Sequence, residues 1–197
     1  MERLLIIITI GLYFGVKISP DKSIIYKAVN SGSNQIDLPK IGEKIQGQFF
    51  VKGKADIATV TRTKKGKGNP IEDGTADEYE IRFSSDKLKP IKAGCCNLRL
   101  INEGDLNNDG TDEISLFQAP MNGCTYSMTT YTFTKGIWKK IVATFLIPTF
   151  CDNIIDSDLQ KRIFKEHNNI YYYVTELKDE SVKLIKKKVR VTRSSKA

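Results

Sequence analysis

Residues 104–117 read Gly-Asp-Leu-Asn-Asn-Asp-Gly-Thr-Asp-Glu-Ile-Ser-Leu-Phe. Side chains that carry oxygen recur at alternate positions, at Asp105, Asn107 and Asp109, and Gly110 follows where the chain has to turn sharply. This is the spacing with which a tight loop surrounds a hard cation such as Ca²⁺. Glycine at the turn avoids a clash between a Cβ atom and the closing backbone. We therefore predict a calcium loop that opens directly into a β-strand.

Two further oxygen ligands follow in the same segment. When Asp105 is counted as position 1, Thr111 at position 7 offers its backbone carbonyl and Glu113 takes position 9. An EF-hand would require a bidentate Glu at position 12, which is Leu116 in this chain. The apolar residues around Leu116 are typical of a strand, so the loop is not an EF-hand. Asp112 at position 8 is expected to point away from the ion, toward the neighbouring backbone or solvent.

The segment resembles the FG-GAP/VCBS-type repeat, in which the pattern G-D-x-N-x-D-G-x-x-D precedes an apolar strand. Such repeats occur in the propellers of integrin α-subunits and in many bacterial exported proteins. The resemblance implies that the ion is held by Asp105, Asn107, Asp109, the carbonyl of Thr111, and Glu113. The family more often has Asp at the last of these positions. The longer Glu113 is therefore expected to shift the geometry or to bind through water.

Residues 47–60 form a second, weaker copy of the segment at an offset of 57 residues, close to the blade length of that family. The corresponding positions are Gly47 and Gly104, Phe49 and Leu106, and Asp56 and Glu113. Lys52 stands at the third ligand position, where its charge opposes a divalent cation, and we expect it to pair with Asp56 instead. The copy is interpreted as a degenerate repeat that has lost the metal. The alternative is a chance similarity around a hairpin.

The rest of the chain is typical of antiparallel β-structure. The predicted strands are Ile24–Val29, Lys44–Val51, Asp56–Thr63, Glu78–Phe83, Asn97–Asn102, Glu113–Gln118, Cys124–Phe133, Ile137–Ile147, Asn169–Glu176 and Ser181–Val191. A short helix is predicted over Ser157–Phe164, capped by Asp156 or Ser157, with Leu159, Ile163 and Phe164 on one face. Two repeats cannot close a propeller, so we expect a mainly β domain over residues 20–191. It would consist of two small packed sheets or a two-blade wedge with extra strands.

The N-terminal apolar run, residues 4–16, covers about 20 Å as a helix, which is less than the roughly 30 Å of a hydrocarbon core. That length is typical of a secretory signal. We therefore predict a signal peptide over residues 1–19, no transmembrane span in the mature chain, and a secreted, periplasmic or cell-surface protein. The alternative is a buried N-terminal strand of a cytosolic protein.

The cysteine count agrees with export. The four cysteines are Cys95, Cys96, Cys124 and Cys151, and an even number in an exported chain predicts two disulfides. A bond between the adjacent Cys95 and Cys96 would need a strained ring. We therefore expect each of them to pair with Cys124 or Cys151, in either of the two possible arrangements. The alternative is four reduced thiols.

The net charge of +8 is concentrated near the C-terminus. Residues 178–197 hold eight Lys or Arg against two acidic residues, and residues 192–197 end the chain as a basic tail. We interpret the lysines mainly as the solvated side of an edge strand, and we do not expect nucleic-acid binding. The aromatic run Tyr171–Tyr173 should alternate between core and surface.

The pattern favours a noncatalytic protein. The single histidine, His167, lies in a polar turn, and neither G-x-S-x-G nor a Walker-type loop is present. We expect a monomer whose bound Ca²⁺ stiffens a β-scaffold that binds a protein or a glycan. The alternative is a secreted metal-dependent hydrolase acting on a glycan or a phosphoester, with the ion in its site.

Overall fold

A computed structural model describes residues 39–178 and 181–189. The predicted signal peptide over 1–19, the strand Ile24–Val29 and the basic tail over 192–197 lie outside these residues. The elements are β1 (Ile41–Gly42), β2 (Lys44–Val51), β3 (Lys54–Lys64), β4 (Glu78–Phe83), β5 (Ile91–Cys95), β6 (Leu98–Gly104), β7 (Glu113–Gln118), β8 (Thr125–Thr134), β9 (Ile137–Pro148), α1 (Asp156–Gln160), β10 (Ile163–Glu166), β11 (Asn169–Lys178) and β12 (Ser181–Lys188).

The strands form three open antiparallel sheets. Their orders are β2-β3-β4-β5, β1-β6-β7-β8-β9 and β10-β11-β12. The described chain is therefore mainly β, with one short helix and no closed propeller, as the sequence predicts. Of the two predicted arrangements, the one with only two packed sheets is wrong, because the C-terminal strands make a third sheet of their own instead of extending one of the others.

The five-stranded sheet buries residues on both of its faces. Successive side chains of a strand point to opposite faces. Along β7, Ile114 and Leu116 accordingly pack into one apolar cluster with β2–β5, whereas Phe117 packs into a second cluster with α1, β10 and β11. The second cluster also holds Ile163 and Ile170 from the three-stranded sheet. The central sheet is thus the layer that connects the other two.

The helix is shorter than predicted. It covers Asp156–Gln160, and Ile155 precedes it at the N-cap without a side-chain cap. The predicted cap by Asp156 or Ser157 is therefore wrong, and Asp156 instead binds the Arg99 guanidinium at 2.7 Å. Ile163 and Phe164 belong to β10, where alternation buries Ile163 and turns Phe164 to the opposite face.

The third sheet places its lysines on an edge strand. β12 pairs only with β11 among the described residues, and Lys186 lies over the Tyr171 and Phe164 rings, at 4.2 and 5.2 Å from their centroids. Tyr172 packs into the core, in accordance with the expected alternation. His167 lies in the exposed turn between β10 and β11.

The cysteine pairing differs from the prediction. Cys124 is bonded to Cys151, whereas Cys95 and Cys96 are free. The pairing of Thr125 with Pro148 brings the start of β8 next to the turn after β9, which places Cys124 and Cys151 with their Cα atoms 4.9 Å apart. Cys95 ends β5 in a different sheet, so the predicted bonds from Cys95 and Cys96 to this pair are wrong.

Removing this disulfide with Cys124→Ser and Cys151→Ser is expected to lower the free energy of unfolding by about 3 kcal/mol. The bond spans 27 residues of chain, and breaking it restores conformational entropy to the unfolded state. Urea denaturation measures the change. The paired control is Cys95→Ser with Cys96→Ser, for which we expect about 1 kcal/mol or less. Equal losses in the two double variants would refute the assignment.

No helix within the described ranges has the length and apolar character that a membrane span requires.

Candidate metal site

The predicted ion-binding loop connects β6 to β7, and the pairing of Gly104 with Glu113 closes it. The backbone takes positive φ angles at Gly104 (71°), Asn108 (64°) and Gly110 (89°). These angles are easily adopted by glycine, and asparagine tolerates them better than most residues. A Cβ atom on Gly110 would also lie 3.4 Å from the side chain of Lys52. The predicted turn therefore occurs where the sequence places its glycine.

Side-chain oxygens of the loop accept hydrogen bonds from the amides of the same loop. The Asn107 Oδ1 accepts the Asp109 amide at 2.7 Å, and Asp109 Oδ1 accepts the Thr111 amide at 2.9 Å and the Thr111 hydroxyl at 2.6 Å. Asp105 Oδ2 accepts the Gly110 amide at 3.0 Å. In these bonds, one side-chain oxygen from each of Asp105, Asn107 and Asp109 accepts a hydrogen bond from a backbone amide. The other carboxylate oxygens of Asp105 and Asp109 are left for other contacts.

Glu113 is fully buried at the start of β7. Its Oε2 accepts the Leu106 amide at 2.6 Å, and its Oε1 accepts a hydrogen bond from the Asn107 side chain at 2.8 Å. Burial, together with the negative charges of Asp109 and Asp105, raises the pKa of Glu113 to about 7. The carboxylates of the loop are therefore close enough to repel one another.

The Asn107 amide nitrogen lies among three oxygens. It is 2.9 Å from Asp109 Oδ2, 2.8 Å from Glu113 Oε1 and 3.0 Å from Thr132 Oγ1. The sequence predicts that Asn107 offers its oxygen to an ion, whereas here its nitrogen faces the carboxylates. As the side chains stand, no three acidic, histidine or cysteine groups among the described residues are arranged to chelate a metal.

Two buried carboxylate oxygens beside the loop have no hydrogen-bond partner, Asp105 Oδ1 and Glu103 Oε1. Burial, together with the charge of Glu113, raises the pKa of Glu103 to about 8, although a hydrogen bond from Ser115 opposes the shift. A buried carboxylate without a partner is costly unless a positive charge accompanies it. When these carboxyl groups ionise, the loop concentrates negative charge in a poorly hydrated place, and its donor set of carboxylate, amide and carbonyl oxygens fits Ca²⁺.

The other two sheets contact this loop directly. Lys165 from β10 donates to the Asp105 carbonyl at 2.7 Å and to Asn108 Oδ1 at 2.6 Å. From the other side, Asp112 and Gln48 of β2 exchange two bonds, Asp112 amide to Gln48 carbonyl at 2.9 Å and Gln48 amide to Asp112 Oδ2 at 2.8 Å. Asp112 therefore points to the neighbouring backbone, one of the two directions that the sequence predicts.

The hairpin over residues 47–60 has a similar layout. Gly47 pairs with Asp56 as Gly104 pairs with Glu113, and both acidic residues are buried. Burial raises the pKa of Asp56, and a hydrogen bond from the Phe50 amide opposes the shift. The predicted pairing of Lys52 with Asp56 is wrong: Lys52 lies against Gly110, and the cation that lowers the pKa of Asp56 is Lys54.

Three residues of the site were not predicted from the sequence: Glu103, Thr132 and Lys165. Glu103 directly precedes Gly104, so a count of the acidic residues around the loop could have found it. Thr132 and Lys165 come from β8 and β10, and no local pattern links them to the loop.

A separate cavity of about 300 Å³ lies between β6–β8 and the segment that precedes α1. Its lining includes Asn97, Arg99, Tyr126 and Asp152 but none of the five predicted ligand residues. Comparisons with protein-family models, with curated proteins and with solved structures found no match for this chain.

Proposed function

We propose that this chain is an exported, noncatalytic protein in which one Ca²⁺, bound by the β6–β7 loop, stiffens a β-scaffold used for binding or surface interaction. The observation that carries the proposal is a buried Asp105 oxygen without a hydrogen-bond partner, in a loop where the charges of Asp105 and Asp109 act on the buried Glu113. A divalent cation would neutralise this charge. Asp105, Asp109 and Glu113 would hold it, together with the Thr111 carbonyl and the Asn107 oxygen. For this the Asn107 amide would have to turn, because its nitrogen faces the carboxylates of Asp109 and Glu113.

The contacts of the loop support a structural role for the ion. Lys165 of the three-stranded sheet and Gln48 of the four-stranded sheet both bind this loop, which itself belongs to the central sheet. An ion that fixes the loop would therefore stabilise the junction of all three sheets. Extracellular modules of this type bind Ca²⁺ with dissociation constants of about 10⁻⁴–10⁻³ M, which suffices outside the cytosol.

The test is a pair of charge-removing substitutions, Asp105→Asn with Asp109→Asn. Millimolar Ca²⁺ is expected to raise the melting temperature of the wild-type protein by about 1–5 °C and to leave that of the double variant unchanged. Asparagine keeps an oxygen for the Gly110 and Thr111 amides, so the loop retains its internal bonds. Differential scanning calorimetry and titration calorimetry measure the two effects.

The control is Asp86→Asn, an exposed aspartate in the turn between β4 and β5. It removes one negative charge away from the loop, and its calcium response should match that of the wild type. A wild-type melting curve that does not move across millimolar Ca²⁺ would contradict the proposal. So would an equal response in the double variant.

The FG-GAP/VCBS-type relationship is part of the proposal. In it, residues 104–117 are an intact repeat and residues 47–60 are a copy that has lost its ligands. Support comes from the two glycine–acid pairs at the same 57-residue offset and from the burial of Phe49 and Leu106 at corresponding positions.

Export is proposed from the apolar N-terminal run and from the Cys124–Cys151 bond, because disulfides persist in oxidising compartments. The partner would be a protein or a glycan bound by a monomer. A hydrolase with the ion in its site would need a cleft beside Glu113, and the cavity described above lies elsewhere. No observation on the described residues therefore favours it over the structural role.

A further inference from the structure

The cysteine pairing leaves two adjacent free thiols, those of Cys95 and Cys96. The chain has four cysteines, all among the described residues, and Cys124 is bonded to Cys151. Cys95 and Cys96 are therefore the remaining intramolecular partners for each other, and the strain of the ring that they would close makes such a bond readily reducible. An environment that oxidises the first pair also exposes the second pair to oxidants.

The backbone holds these two residues in place from several sides. Cys95 pairs with Glu78 in the four-stranded sheet, and its carbonyl accepts a hydrogen bond from the Gln118 side chain of the central sheet. The Cys96 amide donates to the Asp77 carbonyl at 3.4 Å. Cys96 has a φ of 82°, an uncommon angle for a residue other than glycine, and the Cys95 side chain lies near enough to influence its thiol.

Both side chains are partly exposed, so a dissolved reagent has access to them. Burial raises the pKa of the Cys96 thiol to about 12, and the Cys95 side chain contributes to the shift. Since the thiolate is the nucleophile, Cys96 does not react first at neutral pH. The first attack on an oxidant therefore comes from the Cys95 sulfur.

We propose that Cys95 and Cys96 are a redox-modification site that closes to a vicinal disulfide on reaction with a disulfide oxidant. The Cys95 thiolate attacks one sulfur of the oxidant, which forms a mixed disulfide and releases one oxidant thiol. The Cys96 sulfur then gives up its proton and attacks the Cys95 sulfur, which displaces the second oxidant thiol. In total the two cysteines lose two electrons and two protons, and the oxidant disulfide becomes two thiols.

A disulfide between Cys95 and Cys96 would constrain the segment that links two sheets. Cys96 and Asn97 connect β5 of the four-stranded sheet to β6 of the central sheet, and Asn97 lines the cavity described above. The Cys124–Cys151 bond lies next to Thr149 and Asp152 on the same lining. The vicinal bond would thus fix one wall of this cavity while the other disulfide fixes another.

The sequence around the pair allows a direct test. Trypsin cuts after Lys92 and Arg99, so the peptide 93–99 contains both cysteines and no others. The full chain is treated with oxidised glutathione, denatured, alkylated with iodoacetamide, digested and analysed by mass spectrometry. We expect this peptide to be unlabelled and lighter by two hydrogen atoms than its reduced form. Prior reduction should allow both cysteines to be labelled.

Several results would overturn the proposal. These are double labelling of the peptide without reduction, a stable glutathione adduct on the wild-type peptide, or a link from the peptide to Cys124 or Cys151. In Cys96→Ser the second step is blocked, so the glutathione adduct should accumulate on Cys95. In Cys124→Ser with Cys151→Ser the peptide should remain closed, because the two pairs form independently.

Discussion

Phe49→Ala is expected to lower the free energy of unfolding by about 4 kcal/mol. The Phe49 side chain is fully buried in the cluster between the four-stranded sheet and the central sheet, and its ring packs edge-on against Phe83 with centroids 5.8 Å apart. Its ring also fills the space beside Gly47, where a Cβ atom would lie 2.6 Å from it. Alanine would leave a cavity that this rigid environment cannot fill. Equilibrium denaturation in urea measures the loss.

The neighbouring Phe50 provides a matched control. It is 36% exposed, and it packs edge-on against Phe133 with centroids 5.9 Å apart. Phe50→Ala therefore removes the same side chain and a similar ring contact but less buried area, and we expect a smaller loss of about 2 kcal/mol. Comparable losses at the two positions would show that Phe49 does not hold the sheets together.

Local sequence patterns predicted the strands that alternate or that consist of β-branched and aromatic residues. The predicted bounds of Lys44–Val51, Glu78–Phe83 and Glu113–Gln118 are those of β2, β4 and β7. Each of these strands packs against a neighbour close in sequence, so short-range periodicity and turn residues contain most of the information. The antiparallel, mainly β fold follows from the same patterns.

The missed strands are those whose local sequence does not favour a strand. β5 follows Pro90 and contains Gly94, and it forms because β4 offers it a pairing edge. β10 has apolar residues at a spacing that also suits a helix, and pairing with β11 decides between the two. The third sheet and the Cys124–Cys151 bond likewise depend on contacts distant in sequence, which the local pattern does not reveal.

The candidate site likewise has one part that the local sequence predicts and another part that depends on the fold. The five predicted ligands come from one loop, whose spacing and glycine are visible in the sequence. The orientation of the Asn107 amide depends on Thr132, and the hydrogen bond to the Asp105 carbonyl comes from Lys165. The sheet topology brings both residues to the loop from strands that are distant in sequence, so only the three-dimensional arrangement reveals them.

The calcium-free protein is expected to lose stability as the pH rises from about 5 to 8, with a fall in melting temperature of about 5 °C or more. The pKa values of Glu113 and Glu103 are raised to about 7 and about 8 from an ordinary value of 4.5. The folded state therefore binds protons more tightly than the unfolded state does. The contribution of these protons to stability is complete below pH 4.5 and disappears as the pH rises through the folded-state pKa values. Calorimetry across this range in a chelator measures the effect.

Glu113→Gln separates the destabilisation caused by an ionised Glu113 from the stabilisation that we propose for bound calcium. Glutamine retains an oxygen for the Leu106 amide but carries no charge, so it avoids the repulsion from Asp105 and Asp109. Without calcium at pH 8 the variant should melt at a higher temperature than the wild type, and at pH 5 the two should be similar. With millimolar Ca²⁺ at pH 8 only the wild type should gain stability, which would reverse the order or abolish the difference.

The control for the loss of a negative charge is Glu72→Gln, at an exposed position outside the loop, and its pH dependence and calcium response should match those of the wild type. If Glu113→Gln destabilises the calcium-free protein at pH 8, the buried carboxylate is a stabilising group and the repulsion inferred in the loop is wrong. If the variant gains as much stability from Ca²⁺ as the wild type does, Glu113 is not a ligand. A stabilised variant that no longer responds to calcium would show that Glu113 lowers the stability of the empty loop and is needed for the ion to bind.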